Sequence, residues 1–223
     1  MDVLNTPCKM PKNVFTFCAA MVMALFCNGQ QDWTLKTNKE GIEIYTKNIT
    51  NSRLKAIKVK CSLPATLSQL VAVVLDVNTG AEWVYSTKSS TLLKQVSPAE
   101  LYYHSEVSIP WPFENRDFIA HLITTQNPAT KVVTIDGPTV PDYVPLKKSI
   151  VRIHHSSGKW IIEPGPHNTV KIDYTLEVDP GGAIPAWLIN LFATKGPFET
   201  FKNLKKQIKK PAYSNIHLPF IID

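Results

Sequence analysis

The chain runs to 223 residues, yet it has no glycine-rich loop with phosphate-cradling spacing and no nucleophile elbow. Cysteines at zinc or redox spacing are also missing. Of the four present, Cys8, Cys18 and Cys27 precede residue 30, leaving Cys61 alone in the body of the chain with no partner for a disulfide. His154 and His155 are neighbours in an extended run, so they point to opposite faces and cannot jointly hold a metal. Asp173 and Glu177 share the polar side of one strand, well placed for solvation and poorly placed for acid–base work. No arginine-rich aromatic strand of the RNA-binding kind occurs, and no repeat or low-complexity tract is visible. These absences give no catalytic residue, no metal ligand, no cofactor and no nucleic-acid partner.

What is present starts with a leader-like segment. Lys9 and Lys12 make a basic start, and Val14 to Cys27 is an apolar run of 14 residues. Cys27 and Gly29 supply small residues at the −3 and −1 positions of a cleavage before Gln30. The run is shorter than the roughly 20 residues of a membrane span, so residues 1–29 read as a secretory signal peptide and the mature chain as exported, periplasmic or secreted. An uncleaved anchor or a buried apolar strand is the alternative. Cleavage removes Lys9, Lys12 and Asp2, which takes the formal charge from +6 to +5, mildly favourable toward an anionic membrane surface.

The remainder, 44% hydrophobic overall, is long enough for one domain over residues 30–210 with a tail over 211–223. Ile42–Ile49 and Leu54–Leu63 read as the first two strands; in the second, Ile57, Val59, Cys61 and Leu63 oppose Ala56, Lys58 and Lys60. A helix over Thr66–Leu75 follows, with another turn at Ala81–Tyr85. Further strands are expected at 91–96, 101–109, 118–125 and 131–136. Beyond a proline-rich loop from Gly137 to Pro145, runs 149–155 and 159–163 read as a hairpin around Ser156-Ser157-Gly158. Val170–Val178 alternates most cleanly, with Val170, Ile172, Tyr174, Leu176 and Val178 against Lys171, Asp173, Thr175 and Glu177. A last helix has Pro185 in its first turn, an apolar stripe of Trp187, Leu188, Leu191 and Phe192, and an expected kink at Gly196-Pro197.

Between the strands at 101–109 and 118–125 lies Pro110-Trp111-Pro112-Phe113-Glu114-Asn115-Arg116-Asp117. Its two prolines make a stiff corner, where Trp111 and Phe113 call for apolar cover and Arg116 and Asp117 can tie the returning strand. The run resembles the signature of START lipid-transfer domains, of the steroidogenic acute regulatory type. Leu75–Trp83, with Asp76 and Trp83 at its ends, is similar to that family's aspartate–tryptophan helix. Ile184-Pro185-Ala186-Trp187 is similar to the start of its C-terminal helix.

The resemblance implies an α+β helix-grip fold: a curved antiparallel sheet wrapped on a long C-terminal helix, with a short helix pair after the second strand. It also implies an apolar cavity between sheet and helix. Alternation assigns to that cavity Tyr103 and Val107, then Phe118 and Leu122, then Trp160, and Tyr174 with Leu176; the C-terminal helix adds Trp187, Leu188, Leu191 and Phe192. Lipid-binding relatives carry an arginine six residues beyond the one in Asn-Arg-Asp, where this chain has Leu122, or His121 under a one-residue slip. Leucine there implies a drier cavity with no phosphate clamp. Three functions stay open: a monomeric binder of a lipid or apolar small molecule that visits membranes transiently, a cyclase- or hydrolase-type enzyme of the same fold, and an interaction module whose cavity is filled by its own side chains.

Overall fold

A computed structural model describes residues 33–48 and 55–223, so the leader expected over 1–29 lies outside the described residues. Among these, ten strands form one sheet. In chain order they are β1 (Thr34–Lys39), β2 (Ile42–Asn48), β3 (Lys55–Pro64), β4 (Thr87–Ser97), β5 (Glu100–Val107), β6 (Asn115–Gln126), β7 (Val133–Pro138), β8 (Ile150–Arg152), β9 (Ser156–Gly165) and β10 (Thr169–Val178). The spatial order is β1-β2-β3-β10-β9-β7-β6-β5-β4, antiparallel throughout, with β8 added parallel to β6. Three α-helices complete the unit: α1 (Leu67–Leu75), α2 (Gly80–Trp83) and α3 (Ala186–Gln207). This is the α+β helix-grip arrangement. None of the described helices is long and apolar enough to cross a membrane.

The alternating runs become strands because each has one face to bury. Val59, Cys61 and Leu63 of β3 and Ile172 of β10 are buried together with Ile162 of β9, and Phe201 and Leu204 of α3 pack on that cluster. Burial pushes the Cys61 thiol up to about 12, which leaves it a small protonated core residue. α1 starts on a capping box: the Thr66 hydroxyl accepts from the Gln69 amide, and the Gln69 side chain accepts from the Thr66 amide.

Several expectations about the elements need correction. β1 went unpredicted because its side chains are nearly all exposed and lack alternation, so the helix pair follows the third strand rather than the second. The run 149–155 does not form a hairpin with 159–163. Its strand, β8, pairs with β6, and the Ile153 amide donates to the Asp117 carbonyl. α3 runs unbroken through Gly196-Pro197, with Pro185 as its N-cap rather than in its first turn. The tail over 211–223 packs on the domain: Tyr213 and Ile221 are buried in the main core, and the Asp223 carboxylate accepts from the Ser68 amide at 2.8 Å.

The corner is held from beneath. Asp117, 1% exposed, accepts two bonds from Arg152 (2.8 and 3.0 Å) and contacts His104 Nε2 at 2.9 Å. Arg152 also donates to the carbonyls of Pro141, Val144 and Pro145, which fixes the proline-rich loop. Arg116 does not join this ion pair; its guanidinium donates to the carbonyls of Glu114, Pro180 and Gly181. Trp111, expected to need cover, stands 92% exposed. Burial pulls the Asp117 pKa upward, but the bonds from Arg152 and His104 outweigh it and hold the carboxyl below its ordinary value. Asp117 thus adds stability above its unfolded pKa of about 4, and that stability is lost as pH falls through the lower folded value. Asp117→Ala should cost about 3–5 kcal/mol in urea unfolding at pH 7, because Arg152 is left buried without its counter-charge. The gap between variant and wild type should narrow as the pH drops below about 4.

Candidate ligand cavity

Between the inner face of the sheet and α3 lies a cavity of about 340 Å³. Strand parity decides which side chains reach it. Tyr103, Ser105 and Val107 come from β5, Arg116, Phe118, Ala120 and Leu122 from β6, and Tyr174, Leu176 and Val178 from β10. α3 supplies Leu188, Ile189, Phe192 and Ala193, and α2 supplies Trp83. Arg116 is the one charged residue in this wall among the described residues, and three backbone carbonyls already engage it.

Nine of the residues assigned from the sequence line this space: Tyr103, Val107, Phe118, Leu122, Trp160, Tyr174, Leu176, Leu188 and Phe192. Trp187 and Leu191 do not. Trp187 is 57% exposed, because successive positions on a helix lie about 100° apart and the stripe facing the sheet runs through Leu188, Phe192 and Ala193 instead. Leu122, not His121, faces the cavity. His121 points outward, 2.7 Å from a Glu100 carboxylate oxygen, with its ring stacked on Tyr102. His104 and His121 each bond a separate carboxylate, Asp117 and Glu100, and no cluster of three potential metal ligands occurs among the described residues.

Large side chains do meet inside. Trp160, Tyr174 and Phe201 pack within 5.7 Å of one another by ring centroids, and Tyr103 meets Phe118 edge-on at 5.7 Å. They line the cavity without filling it. Part of the room comes from Gly137 and Gly158, which face each other across β7 and β9. A Cβ on Gly137 would sit 2.7 Å from Leu122 Cδ2, and one on Gly158 would sit 3.5 Å from the Tyr174 hydroxyl. The sequence reading missed these glycines along with Trp83 and Phe201. Trp83 stood inside a motif already singled out, but a four-residue helix offers no periodicity to aim its ring.

A family model described as START domain matches residues 14–213. The chain belongs to the START domain family. It is 30% identical over 196 residues to an uncharacterized protein of Pseudomonas aeruginosa, covering 87% of this chain and 96% of that one. To the phosphatidylcholine transfer protein of Bos taurus it is 25% identical over 179 residues, covering 78% and 83% of the two chains. A solved STAR-related lipid transfer protein fragment from Xanthomonas axonopodis superposes with a TM-score of 0.73 at 33% identity, over 80% of this chain and 99% of that one.

Two neighbours on α3 provide a test of the wall. Leu188→Ala, at a fully buried position, should destabilise the START domain by about 2–5 kcal/mol in urea unfolding. Trp187→Ala should shift stability by no more than about 0.5 kcal/mol.

Proposed function

We propose that this START-family protein binds a lipid or similar apolar molecule in the cavity and carries it between membranes after export. The observation that carries the reading is an apolar space between sheet and α3 in a chain of a family whose relatives include lipid transfer proteins. Export rests on the layout of residues 1–29. Native mass spectrometry of protein purified from its own cell envelope, followed by solvent extraction, tests both parts. The expected result is a chain beginning near Gln30 with a co-purified apolar molecule. A chain still carrying Met1 counts against export, and protein that neither arrives with an apolar molecule nor takes one up from vesicles counts against binding.

Delivery needs the cavity to open. One end is bounded by Ile109, Pro180 and Ile184, and the exposed Trp111 and Trp187 lie within three residues of that boundary. Tryptophan suits the interface of a bilayer, where its ring finds an apolar side and a polar one. Gly181 and Gly182 just before α3 have φ of +68° and +64°, a conformation glycine adopts without steric cost, and the proposed gate takes its hinge there. Gly196 is no second hinge: it lies within the unbroken helix, where a Cβ would meet Tyr85 at 3.3 Å. Cysteines introduced together by Tyr85→Cys and Gly196→Cys should therefore pin α3 when oxidised. Lipid exchange between vesicles should stop on oxidation and resume with reductant. Unchanged exchange in the cross-linked protein would move the gate to the loop from Gly137 to Pro145.

A further inference from the structure

Two buried arginines stand near the same corner of the sheet, each 4% exposed, and they are satisfied differently. Arg152 pairs with the Asp117 carboxylate at 2.8 and 3.0 Å. Arg116 holds no carboxylate among the described residues. Glu114, the acidic group whose charge reaches it, offers its backbone carbonyl instead. The other acceptors are the carbonyls of Pro180 and Gly181, both at 3.3 Å, where a charge-assisted bond is ordinarily about 2.8 Å. Three of the five guanidinium N–H groups are thus engaged, and two are unused.

A buried cation is stable when a counter-charge or a full set of acceptors replaces its lost water. Arg116 has neither, and burial lowers its pKa with only partial relief from Glu114. It therefore grips two neutral carbonyls weakly and keeps affinity for a better acceptor. An anionic oxygen takes a bond roughly twice as strong as a neutral one does, and a phosphate presents paired oxygens to a planar guanidinium. The place suits such an exchange. The guanidinium lies against both hinge glycines: it bonds the Gly181 carbonyl, and a Cβ on Gly182 would sit 3.5 Å from its Nη2. Shortly after them α3 starts with no side-chain cap and no acidic residue in its first turn, so its N-terminal amides add positive potential at that end.

Resting on the gate proposed above, we infer that Arg116 is an anion-responsive latch. It holds the segment before α3 through the carbonyls of Pro180 and Gly181, and it gives them up to the oxygens of a phosphate, on a lipid head group or free in solution. The anion releases the helix without itself being the cargo.

The test loads the full chain with tritiated monooleoylglycerol and times its release into vesicles of digalactosyldiacylglycerol, which carry no phosphate. Parallel arms use the same vesicles containing phosphatidylglycerol, and the phosphate-free vesicles with inorganic phosphate in solution. Release per vesicle-bound protein should be about ten-fold faster with phosphatidylglycerol, the ratio given by roughly 1.4 kcal/mol of barrier. Arg116→Met should release at one fast rate in every arm. Lys206→Met, which removes the same charge from an exposed position of α3, should keep the wild-type difference. Equal acceleration by inorganic phosphate supports the latch with a soluble anion as its ligand, and acceleration by phosphatidylglycerol alone supports it with a head group. Wild-type release indifferent to both anions, or a phosphatidylglycerol effect that survives in Arg116→Met, overturns the inference and leaves the lipid-binding reading standing. Should Arg116→Met not fold, Arg116→Lys keeps the charge without the planar fork, and its release into phosphate-free vesicles should already exceed the wild-type rate; an unchanged rate overturns the latch. Protein that takes up no monooleoylglycerol counts against the lipid-binding reading instead. The latch is then read from amide hydrogen exchange in the first turn of α3, which Arg116→Lys should speed about ten-fold, and unchanged exchange there overturns it.

Discussion

The buried pair of Asp117 and Arg152 is the constraint from which much of this molecule follows. Two parallel bonds between planar groups fix orientation as well as distance, and both ions sit out of water. Because Asp117 lies at the start of β6 and Arg152 at the end of β8, the pair brings a short parallel strand onto an otherwise antiparallel sheet. Through its other donors Arg152 gathers a loop that the prolines alone would stiffen but not place. The corner before β6 is thereby set, and with the corner the register of β5 against β6.

Register then makes the cavity. Once Tyr103 pairs with Ala120 and Leu101 with Leu122, every second residue of both strands faces α3. The inner face is mostly apolar, but it is not smooth. Rings from β9, β10 and α3 close on one another, whereas the paired glycines of β7 and β9 withdraw the wall. The space is the residue of two opposed habits of packing, bulky aromatics on some strands and missing side chains on others.

Much of this was legible beforehand, because alternation is a local signal. Val170 to Val178 and Leu101 to Val107 announced both their faces, and three motifs in order were enough to point to the family. The parts that were not legible depend on partners far away in sequence. β1 is an edge strand with little to bury, so nothing in its composition marked it. Leu191 and Trp187 looked equivalent to Leu188 on a helix whose rotation is fixed only by the sheet beneath it. Pro197 looked like a break, yet α3 absorbs it, since packing over a 22-residue helix outweighs one missing donor. The residues from 211 onward had no period because, after a single 3-10 turn over Pro211–Tyr213, they fill gaps one side chain at a time, through Tyr213 and Ile221.

Arg116 carries a last consequence. Its guanidinium clasps the carbonyls of Pro180 and Gly181, the segment on which α3 would swing, while its own strand stays fixed in the sheet. Any movement of that segment leaves donors of a buried cation facing an apolar chamber, and such donors do not stay bare; water must follow them in. Unlatching the helix and wetting that end of the chamber are therefore one event. An α3 that swung there would open a chamber already wet at that end, with the Arg116 guanidinium as the group that draws the water in.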